Sequence, residues 1–177
     1  MGGSSKAQTV GYRYYVGMHM VLCHGPVDHI SHVKVDDRLV LTNPTDLSDH
    51  WINHPGLFGG ESREGGVVGR IDLLYGDLNQ GSNGYLVSRL GSFVPSFKRV
   101  ASAVLNQMYI GMNPYLKKWS FLVGRFRLNE GEDSGWYSSK LHIGDDMNPA
   151  HIVFQCITSQ VWGMGYGFFD IDEESFI

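Results

Sequence analysis

Five residues near the start of the chain, His19, Cys23, His24, His29 and His32, are of the types that hold zinc, because thiolate and imidazole are its usual protein ligands. Their spacing is not that of a zinc finger. Cys23 and His24 are adjacent, and on a strand adjacent side chains point to opposite faces, so the two do not readily reach one ion. Polar positions on an exposed sheet face account for the cluster more simply. The glycine pairs Gly59-Gly60 and Gly65-Gly66 suggest a phosphate cradle, but the chain has neither a GxxxxGK[ST] run nor a strand-loop-helix setting for one. Ser62 lacks the Gly-x-Ser-x-Gly frame of a nucleophile elbow. Asp145-Asp146 and the trio Glu130, Glu132 and Asp133 are carboxylates of the kind used in acid–base catalysis, yet they sit in Gly- and Ser-rich sequence that reads as solvated loop. Arg125 and Arg127 share one face of a strand, where pairing with a carboxylate of a neighbouring chain is a commoner fate than contact with the phosphates of DNA in a passage.

These residues must be positioned by strands. From Gly11 to Pro26 the chain alternates for about twelve residues, longer than a usual strand of roughly 5 to 6. Tyr12, Tyr14, Val16, Met18, Met20 and Leu22 form one apolar set and are expected to be buried, opposite Arg13, Tyr15, Gly17, His19, Val21 and Cys23. Ser31 to Val35 and Arg38 to Thr42 flank Asp36-Asp37 as a hairpin. Asn43 to Gly66 carries no periodicity and reads as a long loop or docking arm anchored by Trp51 and Phe58. Strands are expected over Val67–Tyr75, Lys98–Ile110 and Trp119–Leu128, the last two as candidate neighbours, with a helical turn at Tyr85–Leu90. The period changes at Asn148, an N-cap followed by Pro149 at the first helical position. Ile152, Val153, Cys156, Ile157 and Val161 then mark one helical face, and Gly163 stops the helix. A second helix start at Ile171–Phe176 is cut off about one turn later, which suggests a fragment of a longer polypeptide. Residues 1–8 form a Gly/Ser-rich flexible lead.

Composition agrees with a β-rich, turn-rich fold. The 177 residues contain 23 Gly, and the charged share is only 18 %. The length suits one region over residues 9–177, with room for a small inserted subdomain. The fold class expected is α+β, mainly β: an antiparallel sheet or barrel-like domain with long loops and one clear helix near the C-terminus. The net charge of -4 gives no footprint for sequence-specific nucleic-acid binding. Cys23 and Cys156 are too few for a disulfide framework and read as buried thiols. No apolar run approaches the roughly 20 residues that span a bilayer, and no secretory signal opens the chain, so synthesis and assembly in a cytoplasm follow.

Four blocks in order, YRYYVGMHMVLCHGPVD at Tyr12–Asp28, LFGGESREGGVVG at Leu57–Gly69, MYIGMNPYLKKWSF at Met108–Phe121 and NPAHIVFQCITSQVWGMGY at Asn148–Tyr166, resemble successive parts of phage tail-tip hub proteins. This is the family that includes the lambda host-specificity protein J. The resemblance covers nearly the whole chain, and the family's greater usual length matches the interrupted last helix. It implies an N-terminal hub region with a structural role. The intact protein would be a homotrimer that closes the tail tube, contacts tail-tube, tape-measure and other tip proteins, and sits at the virion tail tip after assembly in the bacterial host.

No catalytic residue, cofactor or metal is then expected, and Trp51, Phe58, Trp136 and Tyr137 are the candidate interface anchors. Two other classes remain in view. A metal-dependent cell-wall hydrolase would use Cys23, His24, His29 and His32 and would carry stoichiometric zinc. A carbohydrate-binding module would use exposed Trp and Tyr and would bind glycans as an isolated monomer, whereas the hub reading predicts neither zinc nor glycan binding.

Overall fold

The computed structural model describes residues 11–44, 49–125, 142–144, 146–172 and 174. They fall into two compact units, residues 1–124 and 125–177. The first contains seven strands, β1 (Tyr14–His24), β2 (His29–Val35), β3 (Arg38–Thr42), β4 (Asp49–His54), β5 (Val67–Leu74), β6 (Val100–Gly111) and β7 (Trp119–Gly124), and one short helix, α1 (Gly84–Leu90). The fold is α+β, mainly β, with every strand pair antiparallel. One sheet runs β1-β6-β5-β4 and the other β3-β2-β7. The two share one core, to which Ile30, Val33 and Val35 contribute from β2 and Ile52, Ile71, Leu73, Leu105 and Met108 from β4, β5 and β6. Full burial of each such side chain stabilises the fold by about 1.5–3 kcal/mol. The His54 ring lies 3.1 Å from the Val40 carbonyl, joining β4 to β3 on one side. Among the described residues β1 and β7 end their sheets and do not pair with each other, so the expected sheet or barrel-like domain takes the form of an open sandwich.

The alternation of β1 places Tyr14, Val16, Met18, Met20 and Leu22 against the core as the sequence indicates. Tyr12 departs from the set at 71 % exposed, because it precedes the paired part of the strand. The Asp36-Asp37 hairpin forms with both residues at positive φ, 45° and 63°, the handedness of a type I′ turn. Three further expectations fail in the placement of strands and cysteines. The supposed arm over Asn43–Gly66 contains β4, whose polar Asp49-His50 and exposed Trp51 hide its strand character. β6 and β7 are not neighbours, since β6 lies between β1 and β5 while β7 pairs with β2. Both cysteines are exposed: Cys23 follows the outward set of β1, and Cys156 lies on the open side of a helix.

β6 also changes phase in mid-strand. Ala101, Ala103 and Leu105 face the core, and so do Met108 and Ile110. A bulge at Asn106-Gln107, with Gln107 at φ 43°, inserts the extra residue. The neighbours opposite the bulge are both glycines, Gly17 on β1 and Gly69 on β5. A Cβ on Gly69, at φ 151°, would stand 2.9 Å from the Met108 Cα, and one on Gly17 would collide with the Tyr85 side chain.

α1 covers part of the outer face of the four-stranded sheet. Leu86 and Val94 pack there with Leu74 and Val104, and Tyr85, Val87 and Phe97 complete this second cluster. The helix is capped by Asn83, whose Oδ1 accepts from Leu86 N at 3.1 Å.

The second unit holds a small hairpin, β8 (His142–Ile143) and β9 (Asp146–Met147), helix α2 (Pro149–Thr158) and a 3-10 turn at Phe168–Asp170. Asn148 caps α2 as expected, its Oδ1 accepting from Ala150 N at 3.1 Å. The helix ends at Thr158, short of Gly163, and it buries His151 and Phe154. Of the expected face, Ile152, Val153, Cys156 and Val161 are exposed. Apolar residues at Ala150, Ile152, Val153, Phe154, Cys156 and Ile157 nearly encircle the helix, so hydropathy selects no single side. The expected lead at 1–8 and half of the expected second helix (residues 173, 175 and 176) lie outside the described residues, as do Arg127, Glu130, Glu132, Asp133 and Asp145.

Candidate functional site

The zinc-type residues do not converge. Among the described residues no three His, Cys, Asp or Glu side chains form a group able to hold a metal ion. His19 faces outward on β1, where its ring meets Phe97 edge-on at 4.7 Å between centroids. Burial there lowers its pKa and favours the neutral imidazole. The His29 ring lies over Gly124, which leaves it room by lacking a side chain. The glycine pairs make a tight turn with internal hydrogen bonds: Gly60 and Phe58 N–H donate to the Gly65 carbonyl, and Gly65 N–H returns to the Gly60 carbonyl. Ser62 Oγ donates to the Gly59 carbonyl at 3.1 Å, a local turn contact.

Two of the four candidate anchors are described. Phe58 is partly buried against the main core, with Lys117 Nζ 4.7 Å and the Arg38 guanidinium 5.4 Å from its ring centroid. It holds its loop to the sandwich. Lys117 also donates to Glu64 Oε2 at 2.5 Å, which lowers the Glu64 pKa and fixes the far end of the same loop. Trp51 is different: it is 67 % exposed on the outer face of β4. Trp136 and Tyr137 lie outside the described residues.

Around Trp51 the part of the sheet face left uncovered by α1 forms a shallow cleft of about 340 Å³. Trp51 stands on β4, Val68 and Arg70 on β5, Asn106, Gln107 and Tyr109 on β6, and Tyr15 on β1. Tyr15 and Tyr109 are opposite one another in the β1–β6 register, their rings tilted at 5.7 Å. Arg13 pairs with Glu61 at the rim, which brings the Gly-rich loop over the start of β1 and raises the Arg13 pKa. Arg70 donates to Asp72 Oδ1 at 2.6 Å and lies 3.6 Å from Asp49. Asp72, 4 % exposed, also accepts from Asn83 Nδ2 at 2.7 Å, so a polar ladder runs from the cleft to the cap of α1.

Of this surface only Trp51 stands out in the sequence. Tyr15, Arg70, Tyr109 and the two amides gain their place from the β-bulge and the strand order, neither of which leaves a local signal. Beyond Trp51, the alternation of Tyr15 with Val16 is the readable clue. A search against models of protein families and a search of curated proteins both returned no match.

Proposed function

We propose that this chain is part of the trimeric hub that closes a phage or prophage tail tube at its tip and links it to tip and receptor-binding proteins. The observation that carries the reading is the ordered series of four blocks that resemble hub sequences, spread from Tyr12 to Tyr166. The open sandwich supports it, because among the described residues β1 and β7 stand at the edges of their sheets, where a strand of a neighbouring chain can add. β1 carries no proline or lysine among its 11 residues to discourage such pairing, and Tyr15 and Val21 are exposed along it. The role is structural. It needs no cofactor and no catalytic residue, and its partners are two further copies of the chain and the tail-tube, tape-measure and tip proteins. Assembly takes place in the host cytoplasm and the product resides in the virion.

The test is stoichiometry in the particle. An epitope tag on the gene product in its phage-producing host should label the distal end of purified tails, with three copies per tail by quantitative mass spectrometry. A single copy per particle, or a product that never enters particles, overturns the proposal.

A further inference from the structure

We infer that the cleft between Trp51 and the Tyr15–Tyr109 pair is a binding site for a neutral saccharide. This goes beyond the hub reading and does not rest on it. The walls are aromatic: the exposed indole of Trp51 on one side and two phenol rings on the other, surfaces onto which the C–H face of a sugar ring packs. The floor is polar. The bulge in β6 turns two consecutive amides, Asn106 and Gln107, to the same outer face, where a regular strand would show only one of them. A volume of about 340 Å³ suits one or two sugar rings.

Charge decides the ligand class. The two guanidinium groups in the cleft already hold carboxylates, Arg13 that of Glu61 and Arg70 those of Asp72 and Asp49. An anionic ligand would have to displace them. Hydroxyl groups need not, since each can accept from an amide or guanidinium N–H and donate to a carboxylate or amide oxygen. An apolar surface of a second protein copy fits less well, because it would cover the Asn106 and Gln107 amides without giving them partners.

The experiment is calorimetric titration of the full chain with maltotriose and with chitotriose, repeated with Trp51→Ala and Gln107→Ala. Trp51 is largely exposed, so its replacement leaves the fold intact, which circular dichroism checks. At least one trisaccharide should bind, and each substitution should weaken it about tenfold or more. No heat of binding from either sugar up to about 10 mM overturns the inference. So does binding that both substitutions leave unchanged, or stronger binding of the acidic sugar sialyllactose. Self-association that shields Trp51 from iodide quenching, with no effect of sugar, would assign the cleft to a second copy instead. None of these outcomes depends on the copy number in virions, so this inference and the hub proposal fail separately.

Discussion

Replacing Gly69 by alanine tests the geometry on which both the core and the cleft depend. Gly69 lies in β5 opposite the β6 bulge, at φ 151°, a backbone conformation that residues with a side chain rarely adopt. Strain of that kind costs about 1–3 kcal/mol. The new Cβ would also stand 2.9 Å from the Met108 Cα, 3.1 Å from its Cγ and 3.2 Å from its Cβ. A flexible side-chain end can step aside, but the Met108 Cα belongs to a central strand paired on both sides, and moving it breaks ladder hydrogen bonds. Overpacking of this sort costs about 1–3 kcal/mol. The two effects together predict a loss of about 2–6 kcal/mol. For a unit of this size that lowers the melting temperature by about 8–24 °C, at about 4 °C per kcal/mol. Gly56→Ala is the control, because a Cβ there meets nothing within 4 Å and its φ is not positive. It should change stability by about 0.5 kcal/mol or less. Urea unfolding followed by circular dichroism measures both. A Gly69→Ala protein within about 1 kcal/mol of wild type refutes the placement of the bulge, since only a different β5–β6 register would make room for the methyl group.

Three further outcomes are expected. Asp37 occupies the second left-handed position of the β2–β3 turn, so Asp37→Gly should hold or slightly raise stability, whereas Asp37→Val should lose about 1–2 kcal/mol by the same urea assay. His19 has a pKa lowered by burial, so the unfolded chain takes up a proton there before the folded one does. Stability from this group is therefore complete above the ordinary histidine value of about 6.5 and falls as pH drops below it. His19→Leu should flatten that acid-side slope in urea melts run between about pH 5 and 7.5, and an unchanged slope would remove His19 as its cause. Cys23 and Cys156 are both exposed, so both thiols should react with a disulfide reagent in native buffer as fast as in denaturant. A thiol that reacts only after unfolding would show that its side chain is buried.

Much of the fold is legible in the chain because its strands obey simple alternation. β1, β2, β3, β5 and β7 each read correctly where one face is apolar over several residues, and Asp36-Asp37 marks its turn by residue type. The failures have separate physical causes. β4 has one buried apolar residue, Ile52, between the exposed Trp51 and Asn53, so its burial comes from pairing with β5 and not from its own pattern. The buried side of α2 is set by what packs on His151 and Phe154, which local hydropathy does not encode. Of the interaction surface, the exposed tryptophan was visible as a residue type. Its neighbours come from three other strands, which only the sheet order brings alongside.

The bulge shows why that surface could not be read from β6 itself. Continued alternation from Ala101, Ala103 and Leu105 would turn Gln107 and Tyr109 inward and Met108 and Ile110 out. The core would then enclose an amide and a phenol, each costing about 1–3 kcal/mol if left without a partner. It would also forfeit two apolar side chains worth about 1.5–3 kcal/mol each. Against this, one residue held at positive φ costs about 1–3 kcal/mol. Core packing alone therefore favours the bulge, and its strain is not in itself a sign of function. The outer face receives what the core rejects: Asn106, Gln107 and Tyr109 emerge together between Tyr15 and Arg70, close to Trp51. A polar floor between aromatic walls thus arises from the same inserted residue that completes the hydrophobic interior, and Gly17 and Gly69 stand beside it because any side chain there would collide with Tyr85 or Met108.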